Sequence, residues 1–414
     1  MPNQDKPRLM IANVFYAPHS YGGATVVAEN MAKLLARDHG WKVLIVSTFY
    51  DSTITPYTLK RYAIDGVDVI AVCVPFPVLS FESSYANPDF DAVFNQILTS
   101  FAPDVAHIHC VQQMGASFFS QLSDARIPFA VTIHDCWWIC ERQFMISSTG
   151  SYCHQEKVDM DICRHCVADV ERSVRRRQRL DSLLALADCY LFPSDYFRQL
   201  GITNGLPAEK CQTNKNGIVK PSPNFYKQHI KNKDLRLRFG FAGGPGPNKG
   251  AMQILGALRS LERTDYELVI VDAAQNAGHS WRHYLDWTVP GKLTFHPAYS
   301  SETMDEFFSK IDVLLFPSQW KESFGLTVRE ALARNIWVIA TNAGGVAEDC
   351  VDSVNSTLIP MTHDHRPLLN AIEAVLQKPD MAKFVNPRRT EILDTESQAS
   401  ELSDILQGLR HMGK

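Results

Sequence analysis

Short apolar runs alternate with helical stretches along this chain, and the alternation passes through twice. In the first pass, Leu9 to Phe15, Lys42 to Thr48, Val67 to Val74, Val105 to Cys110, Phe129 to His134 and Cys189 to Pro193 read as strands. Continuous apolar runs, rather than runs alternating with polar residues, belong to parallel sheets covered on both faces. Between them, Ala24 to Arg37 sets Val27, Met31, Leu34 and Leu35 on one helical face. After Asn216-Gly217 the chain becomes Pro- and Lys-rich from Lys220 to Asp234 and loses its periodicity, which reads as a linker. The pattern then restarts with strands at Leu237 to Ala242, Glu267 to Val271, Lys292 to Phe295, Val313 to Phe316, Trp337 to Ala340 and Ser356 to Ile359. A chain of 414 residues is too long for one core. The expected fold is α/β: two Rossmann-like, doubly wound parallel-sheet domains facing across a cleft lined by strand carboxyl ends. Residues 1–220 form the first domain, with a cysteine-rich insertion over about 136–166, and residues 234–390 the second. Residues 391–414 hold a tail helix, about Ser397 to Arg410.

Composition removes several classes. A net charge of −4 gives no global field for nucleic acid. No apolar run approaches the roughly 20 residues of a membrane span. The N-terminus is polar and then enters a strand, unlike a signal peptide, so a cytoplasmic location is expected. Ten cysteines in such a chain should be reduced or metal-bound.

Function is most legible from Pro317 to Gly345, PSQWKESFGLTVREALARNIWVIATNAGG. It reads as strand end, loop, helix, strand and glycine pair. A helix opening on Gly325 leaves its first N–H groups pointing outward, and with the helix dipole these make a seat for an anion such as a diphosphate. Glu322, in the loop before, can accept hydrogen bonds from sugar hydroxyls, and Glu330, inside the helix, from a ribose. A glycosidase pair is a poor alternative, because eight residues of helix span about 12 Å, against the roughly 5–9.5 Å between hydrolytic carboxylates.

This segment resembles the E-x7-E region of family 4 glycosyltransferases, a retaining group with two Rossmann-like domains of the GT-B type. The resemblance implies transfer of a sugar from a UDP- or GDP-linked donor to a hydroxyl of a glycan, lipid-linked or small-molecule acceptor, without a catalytic metal. It marks Ser323, Phe324, Gly325, Leu326, Thr327 and Glu330 as donor-binding, and Glu322 as orienting the sugar. Gly22 and Gly23, in a strand-to-helix turn, match a Gly-Gly pair that faces donor phosphates and acceptor. His134, at a strand end in VTIHDCWW, matches a histidine that touches the transferred sugar, and Asp135 either orients its ring or caps the next element. The loop GFAGGPGPNKG corresponds to G-R-x4-K-G, so Gly243, Gly244 and Lys249 would cradle the diphosphate. Here Gly244 stands where the family has arginine, and losing one charge-assisted contact costs roughly 1.5–3 kcal/mol unless Lys215, Lys321 or loop N–H groups substitute. Two other readings are a nucleotide-sugar epimerase on the same architecture and a catalytically weak subunit supporting a partner transferase.

Two motifs stand apart. Cys140, Cys153, Cys163 and Cys166 lie in one polar insertion and suit a structural zinc site, with Cys136, His154 and His165 as alternative ligands. Reduced thiols, a disulfide or an iron–sulfur site are the competing readings. Arg172, Arg175, Arg176, Arg177 and Arg179 share one helix, read as a solvated basic face or as peripheral contact with anionic lipid. Trp137 and Trp138 either stack on a sugar or fill the core.

Overall fold

Residues whose apolar runs are continuous become buried strands, and the sheets follow. The computed structural model describes residues 6–20, 22–76, 80–226, 236–274, 280–378 and 380–412. Residues 227–234 of the expected linker lie outside these. The chain divides into two units, one of Met1–Met145, His154–Gly217 and Thr395–Lys414, the other of Ile146–Cys153 and Ile218–Asp394.

The first unit holds β1 (Arg8–Ala12), β2 (Lys42–Phe49), β3 (Leu59–Ile64), β4 (Val67–Cys73), β5 (Val105–Ile108), β6 (Phe129–Thr132), β7 (Cys189–Phe192) and β8 (Cys211–Thr213) in the order β3-β4-β2-β1-β5-β6-β7-β8. All pairings are parallel except β3 with β4. Strand β3 was not expected. It is an edge strand with no buried residue, and LKRYAI places Lys60 and Arg61 within it instead of an apolar run of strand length. Strand β8 has three residues, too few for a sequence signal.

The second unit holds β9 (Leu237–Phe241), β10 (Tyr266–Asp272), β11 (Lys292–Pro297), β12 (Val313–Phe316), β13 (Trp337–Thr341) and β14 (Ser356–Ile359), all parallel, in the order β11-β10-β9-β12-β13-β14. This is the Rossmann order 3-2-1-4-5-6. Side chains alternate across the sheet: Phe239, Phe241, Val313 and Leu315 join one core layer, Val269, Val271, Leu314 and Val338 the other. The tail helix Thr395–Met412 belongs to the first unit. Its Ser403 Oγ accepts from Trp41 Nε1 at 3.0 Å, and its Gln398 Oε1 accepts from the Gly217 N–H at 2.8 Å.

Each sheet reverses winding direction once, between β1 and β5 and between β9 and β12. In open α/β sheets ligands bind at such switch points, outside the strand carboxyl ends. At the second switch point one glycine lets the loops after β9 and β12 approach closely. Gly250 has φ +80°, and a Cβ there would lie 2.0 Å from the Pro317 carbonyl oxygen. Gly250→Ala is expected to destabilise the second unit by about 2–4 kcal/mol, from strain and overpacking together, read as a lower urea midpoint of that unit.

Candidate active site

The loop after β9 and the loop after β12 meet at the second unit's switch point. Gln319 N–H donates to the Asn248 carbonyl at 2.7 Å and Ser318 Oγ to the same oxygen at 3.4 Å. At this seam Glu322 is buried, and its Oε1 accepts from Lys249 Nζ (2.7 Å), Trp320 Nε1 (2.8 Å) and Ser318 Oγ (2.9 Å). Lys249 Nζ also lies 5.0 Å from the Trp320 ring centroid. Three donors on one oxygen hold the carboxylate in place. The loop backbone is pinned as well: Glu322 N–H donates to the Ala343 carbonyl, and Gly345 N–H donates to the Glu322 carbonyl.

The helix Leu326–Ala333 follows at once. Gly325 caps it in the left-handed region, at φ 88°, without a side-chain hydrogen bond. A Cβ there would come 2.9 Å from Val346 Cγ2. Only glycine meets both demands, and it supplies no side chain to cap the first-turn N–H groups. Ser323, Gly325, Leu326 and Thr327 are half-buried. Phe324 differs: its side chain is buried beneath the Arg329 guanidinium, 4.0 Å from ring centroid to Cζ, so only its backbone is available to a donor. Arg329 braces the turn, donating to Asp349 (2.6 Å), to the Gly345 carbonyl (2.6 Å) and to the Phe324 carbonyl.

Glu330 is buried near Arg334 and Tyr299. Burial pushes its carboxyl up to about 7, with the Arg334 charge opposing. Tyr299, desolvated and facing Glu330, is held neutral.

In the glycine-rich loop, Gly243 and Gly244 follow β9 directly. Gly244 has φ +77°, and a Cβ there would lie 2.9 Å from Trp281 Cη2. Trp281 is anchored by its N–H to Asp272 Oδ1 (3.0 Å), and Ser280 Oγ donates to Asp272 Oδ2 (2.6 Å). An arginine at 244 is thus disfavoured twice, by torsion and by the indole. Trp281 gave no sequence signal, because only folding places it over residue 244. Lys321 Nζ donates to the Asn342 carbonyl at 3.1 Å.

In the first unit, Gly22 (φ 80°) and Gly23 open the helix Gly23–Asp38 after β1 and are exposed. His134 follows β6, and sequence reasoning missed the two histidines beside it. His107 and His109 occupy alternate positions on β5 and its extension, as Thr132 and His134 do on β6. With Ala106 opposite Phe129 and Ile108 opposite Val131, each histidine reaches diagonally to the neighbouring strand. His107 Nε2 lies 2.7 Å from Thr132 Oγ1, and His109 Nδ1 lies 2.8 Å from His134 Nε2. The spacing H-x-H at a strand's carboxyl end, beside T-x-H, was the signal available. Asp135 resolves as a cap: it accepts from the Trp137 N–H (2.9 Å) and from Gln143 Nε2 (2.7 Å). Trp137 and Trp138 are buried and meet edge to face at 4.9 Å, so they fill the core.

Two family models match this architecture. "Glycosyltransferase Family 4" matches residues 21–219 and "Glycosyl transferases group 1" matches residues 224–389. The chain belongs to glycosyltransferase family 4. Lipopolysaccharide 1,2-N-acetylglucosaminetransferase of Salmonella typhimurium is 25% identical over 198 residues, 42% of this chain and 46% of that protein. The match thus spans about half the length of that curated relative. Sucrose-phosphate synthase from Thermosynechococcus elongatus superposes with a TM-score of 0.72 at 17% identity, covering 98% of this chain and 100% of its own. Anabaena HepE in complex with UDP-glucose superposes at 0.64 with 16% identity, covering 97% and 99%. These likenesses establish the fold, two parallel-sheet α/β units of the GT-B type, which the double β/α alternation had already indicated.

One expectation for this family 4 chain finds no support and another needs correction. The zinc site finds no support: among the described residues no three His, Cys, Asp or Glu side chains converge to hold a metal. Cys153 belongs to the segment Ile146–Cys153, grouped with the second unit, whereas Cys140, Cys163 and Cys166 belong to the first. Nor is any disulfide formed among the described residues. The basic face is also partly internal. Arg176 is buried, donates to the Trp137 carbonyl at 2.6 Å and lies 4.9 Å from the Trp137 ring centroid. Arg172 lies 3.8 Å from the Phe81 ring centroid, and Arg177 pairs with Asp181 at 2.7 Å. Arg175 and Arg179 alone of the five are exposed.

Proposed function

We propose that this chain is a retaining glycosyltransferase that moves a sugar from a UDP- or GDP-linked donor to a hydroxyl of a glycan, lipid-linked or small-molecule acceptor. One observation carries the reading: Lys249 and Glu322 are locked together at a Rossmann switch point, beside a helix start capped only by glycine. Lys249 and the N–H groups from Gly325 to Thr327 hold the charge that develops on the departing diphosphate. Glu322 orients the sugar, Glu330 accepts from the ribose, and His134 touches the transferred sugar. The leaving phosphate oxygen takes the acceptor proton, so no carboxylate base is assigned. The complex of Anabaena HepE with UDP-glucose supports the donor class.

A cytoplasmic location is part of the same reading. No helix among the described residues is long and apolar enough to cross a membrane. Two exposed arginines fall short of the roughly 4–8 basic residues of a lipid-binding cluster, so peripheral contact is not included.

Incubation with a panel of UDP- and GDP-sugars and candidate acceptors tests the proposal. Nucleotide release with a glycosylated product of unchanged anomeric configuration is expected. The indole packed on Gly244 favours one second reading, a weak subunit supporting a partner transferase; nucleotide binding without release from any donor would select it. Epimerised donor without transfer would select an epimerase.

A further inference from the structure

We infer that His109 is a positioning residue that fixes the tautomer of His134, so that His134 offers substrate an Nδ1–H donor. The inference rests on the sugar-contacting role proposed for His134. His107, His109 and His134 stand together at the carboxyl edge of β5 and β6. The rings of His109 and His134 are nearly parallel, 14° apart with centroids at 5.1 Å, and the His107 centroid lies 4.1 Å from that of His109.

Burial disfavours the imidazolium in all three. His134 is pushed down to about 4, His107 to about 3, and His109 well below its ordinary value. Near neutral pH each ring therefore carries one N–H, and one proton bridges His109 Nδ1 and His134 Nε2. Suppose His134 supplied it. The His109 proton would then sit on Nε2, which is buried and has no hydrogen-bond partner among the described residues. A buried N–H without an acceptor is the costlier orphan. With the proton on His109 Nδ1, only a lone pair is left unpartnered. His107 follows the same economy: its Nε2 meets Thr132, and its Nδ1 is the unpartnered atom. His134 Nε2 is then an acceptor engaged by His109, and its own proton is on Nδ1. His134 is a neutral hydrogen-bond donor, not a base.

The full chain carrying 15N-labelled histidine tests this. Two-bond 1H–15N correlation spectra identify which nitrogen of His134 bears the proton, and Nδ1–H is expected. His109→Phe removes the donor but fills the space. In that variant His134 is expected to shift toward Nε2–H. Its kcat falls roughly 10–100-fold, less than the about 10⁴-fold cost of a wrong tautomer where the histidine is a base, while the donor KM stays within about twofold. His109→Asn places an amide N–H near the former Nδ1 and is expected to restore both tautomer and kcat. Wild-type His134 found as Nε2–H overturns the inference, as does an asparagine variant no better than phenylalanine. The spectra need no turnover. A protein with the expected tautomers that transfers no sugar would therefore retire the functional reading and leave standing only the part of the inference that concerns the tautomers, His109 holding His134 as Nδ1–H.

Discussion

Lys249→Ala is expected to lower kcat/KM about 10²–10³-fold, the cost of removing one preorganised donor from a developing anion. The effect should sit at the upper end, because Lys249 is the only cation from Gly243 to Gly250. Trp281 occupies the room that an arginine at 244 would need. Glu322→Ala is expected to be comparably damaging, since it removes the carboxylate that seats Lys249 and orients the sugar. The two losses should not add. Lys249 and Glu322 share a 2.7 Å ion pair, so the double variant should fall only a few-fold below the worse single one. Glu322→Gln separates structure from function: an amide oxygen still accepts from Trp320, Ser318 and Lys249, so its melting temperature should match wild type while turnover drops. Steady-state kinetics with the active donor check these outcomes. Wild-type turnover in the Lys249, Glu322 and Glu330 alanine variants together would show the site assignment to be wrong.

The geometry of the segment proposed to bind the donor was readable because its parts lie close along the chain. Glu322, Gly325 and Glu330 fall in one loop and helix, and local geometry presents them in turn. Lys249 could be named from Lys249-Gly250, but not its partner, since the contact joins loops 73 positions apart. Trp281 was invisible for the same reason, and His109 because its role depends on a neighbouring strand's register. The Phe324 side chain was misplaced in the opposite way. Its position in the motif suggested a ligand contact, yet an aromatic side chain beside the arginine of the next helix turn is better buried under that guanidinium. The arginines at 172, 176 and 177 read as a solvated face because a helix rich in charge gives no sign that guanidinium planes can stack on aromatic rings inside the fold.

Nucleotide-sugar affinity is expected to rise about tenfold per pH unit from pH 5 toward 7 and then level off, through Glu330 alone. Its carboxyl titrates at about 7 because burial disfavours the charge more than Arg334 restores it. A protonated carboxyl accepts poorly, whereas two ribose hydroxyls donate to a carboxylate, so the ligand selects the ionised form and binding releases a proton. The same shift acts on stability with the opposite sign. Below about 4.5 both folded and unfolded chains hold the proton. Between 4.5 and 7 only the folded chain keeps it, so folding stability falls as pH rises, by an amount of order 3 kcal/mol in total, and is constant above 7. Glu330→Gln removes the buried charge. It should therefore unfold at a higher temperature than wild type at pH 8, bind donor more weakly there, and lose the slope between pH 5 and 7. Calorimetric titration with a non-reacting nucleotide sugar, run on both proteins across that range, reads the slope and the released proton together. Identical slopes in the two proteins would remove Glu330 from the ribose and leave its burial to be explained by packing against Tyr299 and Arg334.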